Sequence, residues 1–370
     1  MTPNWFSAVM GTGIVATSGV ALHSAWPAMG VLTTSFWVIA LAGLVVASCL
    51  FVGKGPADHA ADPGMAHFYG APAMALLTVG AGTVELGPQF FGDSVAVWVG
   101  GALWAVGTAA GVFTTVWVPF RTITGTQSSA DGAMPSWLMP VVPPMVSAAT
   151  GPLLLPHLPP GDIRSGLLAT CYALFGLTLI VGFLTMTMIY SRLIHRGLPS
   201  VQVAPTVWIM LGMIGQSIAA AVLLGSSAHL VFDGEQASIA NGLRIFGIGY
   251  GLVMSGFAGF VFVLAALITV HNVRRGLTFT PTWWSFTFPI GTCVTGSASL
   301  AVAVGSTPLR VIAAALFTLL LITWVVVAGW SSVYLHRTTI QRQHFSRLEV
   351  ANACGPDLAP EPACVGRAVA

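Results

Sequence analysis

Ser285, Phe288, Thr292, Thr295 and Ser299 recur at intervals of three and four residues. That spacing places side chains on one face of a helix. The face is polar apart from the phenylalanine. It could hydrogen-bond a solute moving along it, and an aromatic ring could block the way. Pro289 has no N–H to give the Ser285 carbonyl, so the backbone is loosened beside Phe288. In hydrocarbon, loosened backbone survives only where protein or a water-filled cavity satisfies it. Two readings follow. The helix lines a path, or it is a buried helix whose hydroxyls bond back to their own turns.

The rest of the chain is a bilayer sequence. Of 370 residues, 55% are hydrophobic and 6% charged, against about 25% charged in a soluble domain. Thirteen Lys and Arg against eleven Asp and Glu leave +2, so no basic surface points to nucleic acid. Cys49, Cys171, Cys293, Cys354 and Cys364 form no Cys-x-x-Cys pair. They suit small apolar fillers or tail residues better than a disulfide frame or a metal site. The nine histidines, His23, His59, His67, His157, His195, His229, His271, His336 and His344, fall at span ends, in loops or in the tail. No zinc-protease, phosphate-loop or nucleophile-elbow pattern appears, so neither an enzyme nor a cofactor is expected. No Asp or Glu lies well inside an apolar run, Glu85 coming nearest. Cation filters and proton relays usually need such carboxylates, so a neutral solute or an anion is favoured.

Apolar runs of bilayer length predict ten spans, at roughly 5–22, 31–53, 67–87, 94–118, 135–155, 166–191, 205–230, 244–270, 282–303 and 309–335. Residues 337–370 read as a disordered cytoplasmic tail after a transmembrane domain of 1–336. The even runs are long and have no interior proline, with Pro119 and Pro308 at their edges. The odd runs are broken, by Pro72, by Pro140, Pro143 and Pro144, and by Pro289, or are rich in glycine, as at Gly11, Gly13, Gly212 and Gly215. Their openings repeat as Pro3-Asn4-Trp5, Pro135-Ser136-Trp137, Pro205-Thr206-Val207-Trp208 and Pro281-Thr282-Trp283, with a looser His67-Phe68-Tyr69. The pattern predicts an all-α membrane protein of five helical hairpins. The five odd helices form an inner ring, where freed carbonyls find partners, and the even helices face lipid. Five helices at ~10 Å spacing leave a channel of roughly 3.5 Å radius.

Loops after even spans carry Lys54, Arg121, Arg192, Arg196, Arg274 and Arg275, and those after odd spans Arg164, Arg244 and Arg310. This bias places both termini in the cytoplasm of a multi-pass cell-membrane protein. Arg164, Arg244 and Arg310 read first as interfacial snorkelling residues and second as an outer mouth that concentrates anions. Gln216 reads first as an interhelical hydrogen-bonding residue and second as a solute contact.

The run from Pro3 to Ile14, Pro-Asn-Trp-Phe-Ser-Ala-Val-Met-Gly-Thr-Gly-Ile, resembles the opening signature of the tellurite-resistance/dicarboxylate transporter family. Trp283-Trp284-Ser285-Phe286-Thr287-Phe288-Pro289 resembles its ninth-span motif, seen in the related plant slow anion channels. Fungal malate and sulfite transporters share the family. The resemblance implies a homotrimer with a pore in each subunit, occluded by Phe288, with Gly11 and Gly13 close to it. The expected function is transport of small anions, C4-dicarboxylates such as malate first. The alternative is efflux or channel conduction of inorganic anions such as sulfite, chloride or nitrate. Pore-lining residues are then Gly11, Gly13, Gly212, Gln216, Ser285, Thr292, Thr295 and Ser299.

Overall fold

A computed structural model describes residues 2–22, 29–53, 67–125 and 132–353, with side chains to residue 338. Lys54, His23, His59, Cys354 and Cys364 lie outside the described residues. The chain divides into two compact units, Met1–Trp324 and Val325–Ala370. The second holds the distal part of one helix. The helices are α1 (Phe6–Leu22), α2 (Met29–Val52), α3 (Gly70–Leu86), α4 (Asp93–Thr124), α5 (Pro143–Thr150), α6 (Asp162–Arg196), α7 (Trp208–Ser227), α8 (Ala237–Arg274), α9 (Thr287–Val304) and α10 (Thr307–Ala353).

Eight helical segments among the described residues are long and apolar enough to cross a membrane. The ten expected spans are therefore eight by length and composition. The stretch expected as the third span, α3, is 17 residues long. The fifth is broken by its prolines into the eight-residue α5 and short 3-10 turns on either side. α4 runs through Pro119 instead of stopping before it. α10 continues to Ala353, into the stretch expected to be a disordered tail.

Burial separates two kinds of helix. The candidate spans Pro3–Leu22, Ala204–Leu230 and Pro281–Val304 are 72%, 94% and 67% buried, whereas α2, α4, α6 and α8 are 22–33% buried. The exposed faces of those four carry residues such as Val31, Trp98, Leu184 and Val253, the composition of a lipid-facing surface. The buried elements pack in a closed circuit: α1 on α3, α3 on α5, α5 on α7, α7 on α9, and α9 on α1. The 3-10 turns that open them, at Pro3, His67, Pro135, Ala204 and Pro281, touch in the same circular order. The repeated opening phrase thus folds as a collar. Proline sets φ at the first turn without losing a needed donor.

The broken fifth element shows why it must be inside. Pro144 cannot donate to the Pro140 carbonyl. Thr115 Oγ1 on α4 donates to that oxygen at 2.8 Å. Thr178 Oγ1 on α6 donates to the Val141 carbonyl at 3.0 Å. Other outer helices are pinned likewise. Trp37 Nε1 donates to Thr83 Oγ1 at 3.2 Å, Trp104 Nε1 to the Ser147 carbonyl at 3.0 Å, Tyr250 Oη to Ser217 Oγ at 2.9 Å, and Trp324 Nε1 to Thr12 Oγ1 at 3.0 Å. In hydrocarbon such bonds contribute about 0.6–2 kcal/mol each.

Candidate functional site: a cavity above a constriction

Just above the collar, the circuit closes on a constriction lined by Met10, Met74, Met139, Val142, Ile209, Gly212, Ser285, Phe288 and Pro289. About 10 Å³ of free space remains there, at the lower limit for a single water. Phe288 is 3% exposed. Every one of these residues lies in the first five of its helix or in the turn before it. Five helix N-termini therefore surround the constriction, each carrying the positive end of a macrodipole of about half a charge.

Farther along the same five helices the circuit opens into a cavity of about 370 Å³, within the usual range for ligand sites. Its polar lining is Thr17, Thr78, Glu85, Thr150, Gln216, Ser226, Thr295 and Ser299; the remainder is Ile, Val, Leu and Ala. Constriction and cavity occur in the same order along all five inner elements, so these run parallel.

The sequence-expected residues divide between several places. Gly212, Ser285 and Phe288 line the constriction. Gln216, Thr295 and Ser299 line the cavity. Thr292 turns toward α7, where a Cβ on Gly215 would come within 2.7 Å of its Oγ1, and it lines neither space. Gly11 faces Thr287 and Trp284, and Gly13 faces Thr78 and Ala40, so both permit close helix approach. Arg164 donates to the carbonyls of Leu158 and Leu230, tying the start of α6 to the end of α7. Arg244 and Arg310 are exposed near the starts of α8 and α10. The face expected to be continuous is split because helix crossing at Gly215 claims one of its members.

Met10, Met74, Met139 and Glu85 were not singled out as lining residues by sequence reasoning. The repeated opening carries the signal. Met10, Met74, Val142, Gly212 and Phe288 each stand seven residues after Pro3, His67, Pro135, Pro205 and Pro281, and all five line the constriction. Eighteen residues after the same openings stand Ala21, Glu85, Leu153, Leu223 and Ser299, and all five line the cavity. Constriction and cavity are thus built of quasi-fivefold layers, one residue from each inner element.

Parallel apolar helices around a partly polar cavity define a multi-pass membrane transporter or channel. The chain belongs to the SLAC1 voltage-dependent anion channel family, whose model matches residues 1–331. It is similar to an uncharacterised transporter of Methanocaldococcus jannaschii, 28% identical over 303 residues, covering 80% of this chain and 82% of the relative. It is similar to the sulfite efflux pump of Trichophyton rubrum, 27% identical over 309 residues, covering 80% and 81%. The sulfite efflux pump of Arthroderma benhamiae is 26% identical over the same length and shares. The family is one of anion transporters and channels, so the chain is not an enzyme. The solute named among these relatives is sulfite, whereas the sequence reading put C4-dicarboxylates first.

Proposed function

We propose that the protein conducts or exports small inorganic monoanions, with sulfite in its hydrogensulfite form as the leading candidate. The pathway is the one enclosed by α1, α3, α5, α7 and α9, and Phe288 is its gate. The observation that carries this reading is the convergence of five helix N-termini on one constriction. Positive dipole ends favour an anion there and disfavour a cation. No Lys, Arg or His lines the cavity among the described residues. A C4-dicarboxylate would bring two charges into a space with no cationic partner, and each unpaired buried charge is costly. A monoanion brings one. The names of the fungal relatives point the same way.

In this reading α3 and the broken 135–157 stretch are the third and fifth of ten membrane elements. Their shortness is tolerated because neighbouring helices satisfy the backbone. Since one chain closes the circuit, each subunit of a trimer would hold its own pathway. Both termini would lie on the cytoplasmic side.

The test is flux and reversal potential in vesicles carrying the purified protein, across sulfite, nitrate, chloride and malate. The expected reversal potential follows the anion gradient, with malate the slowest solute. A value at the cation equilibrium potential, or malate outrunning the inorganic anions, overturns the reading. Orientation is tested separately. If the basic bias holds, a cysteine at Ser200, in the 197–203 loop, is shielded from an impermeant reagent added outside, and one at Pro160 is labelled. The reverse pattern inverts the topology.

A further inference from the structure

The cavity has an unexpected chemistry for an anion path. An anion is stabilised by hydrogen-bond donors. A hydroxyl has one donor hydrogen. In this cavity Thr78 donates to the Met74 carbonyl at 2.7 Å, Thr150 to Val146 at 2.8 Å, Thr295 to Gly291 at 3.1 Å and Ser299 to Thr295 at 2.8 Å. These four hydroxyls therefore face the cavity as acceptors. Gln216, 4% exposed, lines the same space with an Oε1 that has no partner and an Nε2 that can donate, and Ser226 adds a hydroxyl; both stand outside the Glu85 layer. Glu85 lines it too, and its Oε2 is buried without a partner. In the Glu85 layer the other members are Ala21, Leu153, Leu223 and Ser299. That layer contains no cation and no unengaged hydroxyl donor. It lies about 16 Å along the helices from the Phe288 layer, taking 1.5 Å per residue.

An ionised Glu85 would repel an entering anion in a low-dielectric space. A protonated Glu85 reverses the interaction, because its O–H becomes a donor aimed at the solute. We propose that Glu85 is a proton site that licenses anion entry, so that anion flux through the cavity requires a proton on this carboxyl. The inference rests on the anion pathway proposed above and adds its regulation. The elements packed against α3 are α1, α2, α4 and α5, with the turns around them. Among their described residues the titratable groups near this end are Asp93 and His157, both exposed; His229, after α7, is exposed as well. None of the three lines the cavity. The proton switch is therefore Glu85 itself.

The experiment measures nitrate flux into vesicles over a series of symmetric acid-to-neutral pH values. Nitrate is the anion of a strong acid, so pH leaves the solute unchanged. Wild-type flux rises on acidification, by up to about tenfold per pH unit for one linked proton. Glu85→Gln carries a permanent amide donor and runs at the wild-type acid rate at every pH. Glu85→Asp retains a pH-dependent flux, and His157→Asn and His229→Asn keep the wild-type profile. A pH-independent wild-type flux, or an unchanged slope in Glu85→Gln, overturns the proton site while leaving the anion pathway standing. No anion flux at any pH overturns the pathway and the proton site with it. If Glu85→Gln fails to assemble by size exclusion, the wild-type slope and the Glu85→Asp profile decide.

Discussion

Phe288→Ala is expected to raise anion flux by about tenfold or more, the factor given by 1.4 kcal/mol off a barrier. Its assembly should match wild type. The constriction holds about 10 Å³ of free space with the ring in place, so a hydrated anion cannot pass. Its neighbours Met10, Met74 and Met139 are flexible side chains that can shift to cover part of the gap. Pro289 leaves the preceding turn short of one hydrogen bond, which gives the backbone room to adjust. The rival view makes Phe288 an ordinary core residue, whose truncation costs about 3–5 kcal/mol and lowers both yield and flux. Phe286 supplies the contrast. It is 8% exposed and packs edge-on against Trp208 at 5.7 Å and Trp283 at 5.9 Å, away from the constriction lining. Phe286→Ala should weaken the fold with no gain in flux. A well-assembled Phe288→Ala protein whose flux equals wild type would sink the gate.

The second large effect is expected at Gly70. A Cβ there would overlap the Met139 carbonyl oxygen, with that carbonyl's carbon at 2.6 Å and Pro140 Cα at 2.9 Å. All three atoms are backbone and have nowhere to go. The oxygen is one that Pro143 leaves without its helical donor. Gly70 is therefore the point where the third and fifth elements of the circuit meet, just before Met74 and Met139 reach the constriction. Gly70→Ala should cost about 1–3 kcal/mol from overpacking alone, lowering the melting temperature and abolishing the normal flux. Gly249→Ala is the reference, because a Cβ there meets nothing within 4 Å. It should be neutral or slightly stabilising, since alanine favours a helix over glycine by roughly 0.5–1 kcal/mol. Equal thermal stability of the two variants would refute the close-contact account.

Much of this architecture was legible because breaks in a membrane helix are informative. Proline and glycine in the odd runs mark buried elements, and the smooth apolar runs of α2, α4, α6 and α8 mark helices that are only 22–33% buried. What could not be read was where a helix face turns away from the axis. Thr292 has the right spacing to line the path, but Gly215 lets α9 approach so closely that the threonine is taken up by packing. The fifth element reads as a full span because apolar length persists across a proline-broken segment that no longer forms one helix, whereas the third stays one helix, through Pro72, but of only 17 residues. In the sequence Glu85 stands out only as the carboxylate nearest to the inside of an apolar run. The cavity extends that far, so the end of the run still lines it. The repeated opening held this information, but using it requires counting from the collar and not from the apolar boundaries.

Five dipole ends, with no full charge among the lining residues, make a weak and diffuse attraction at the constriction. A field of that kind cannot fully replace a tightly held shell of water. Ions then differ chiefly in how much it costs to strip them. Those that hold water loosely pass more readily than small or multiply charged ones. On the proposed function, helix ends would distinguish the sign of a solute, and hydration would rank solutes of that sign.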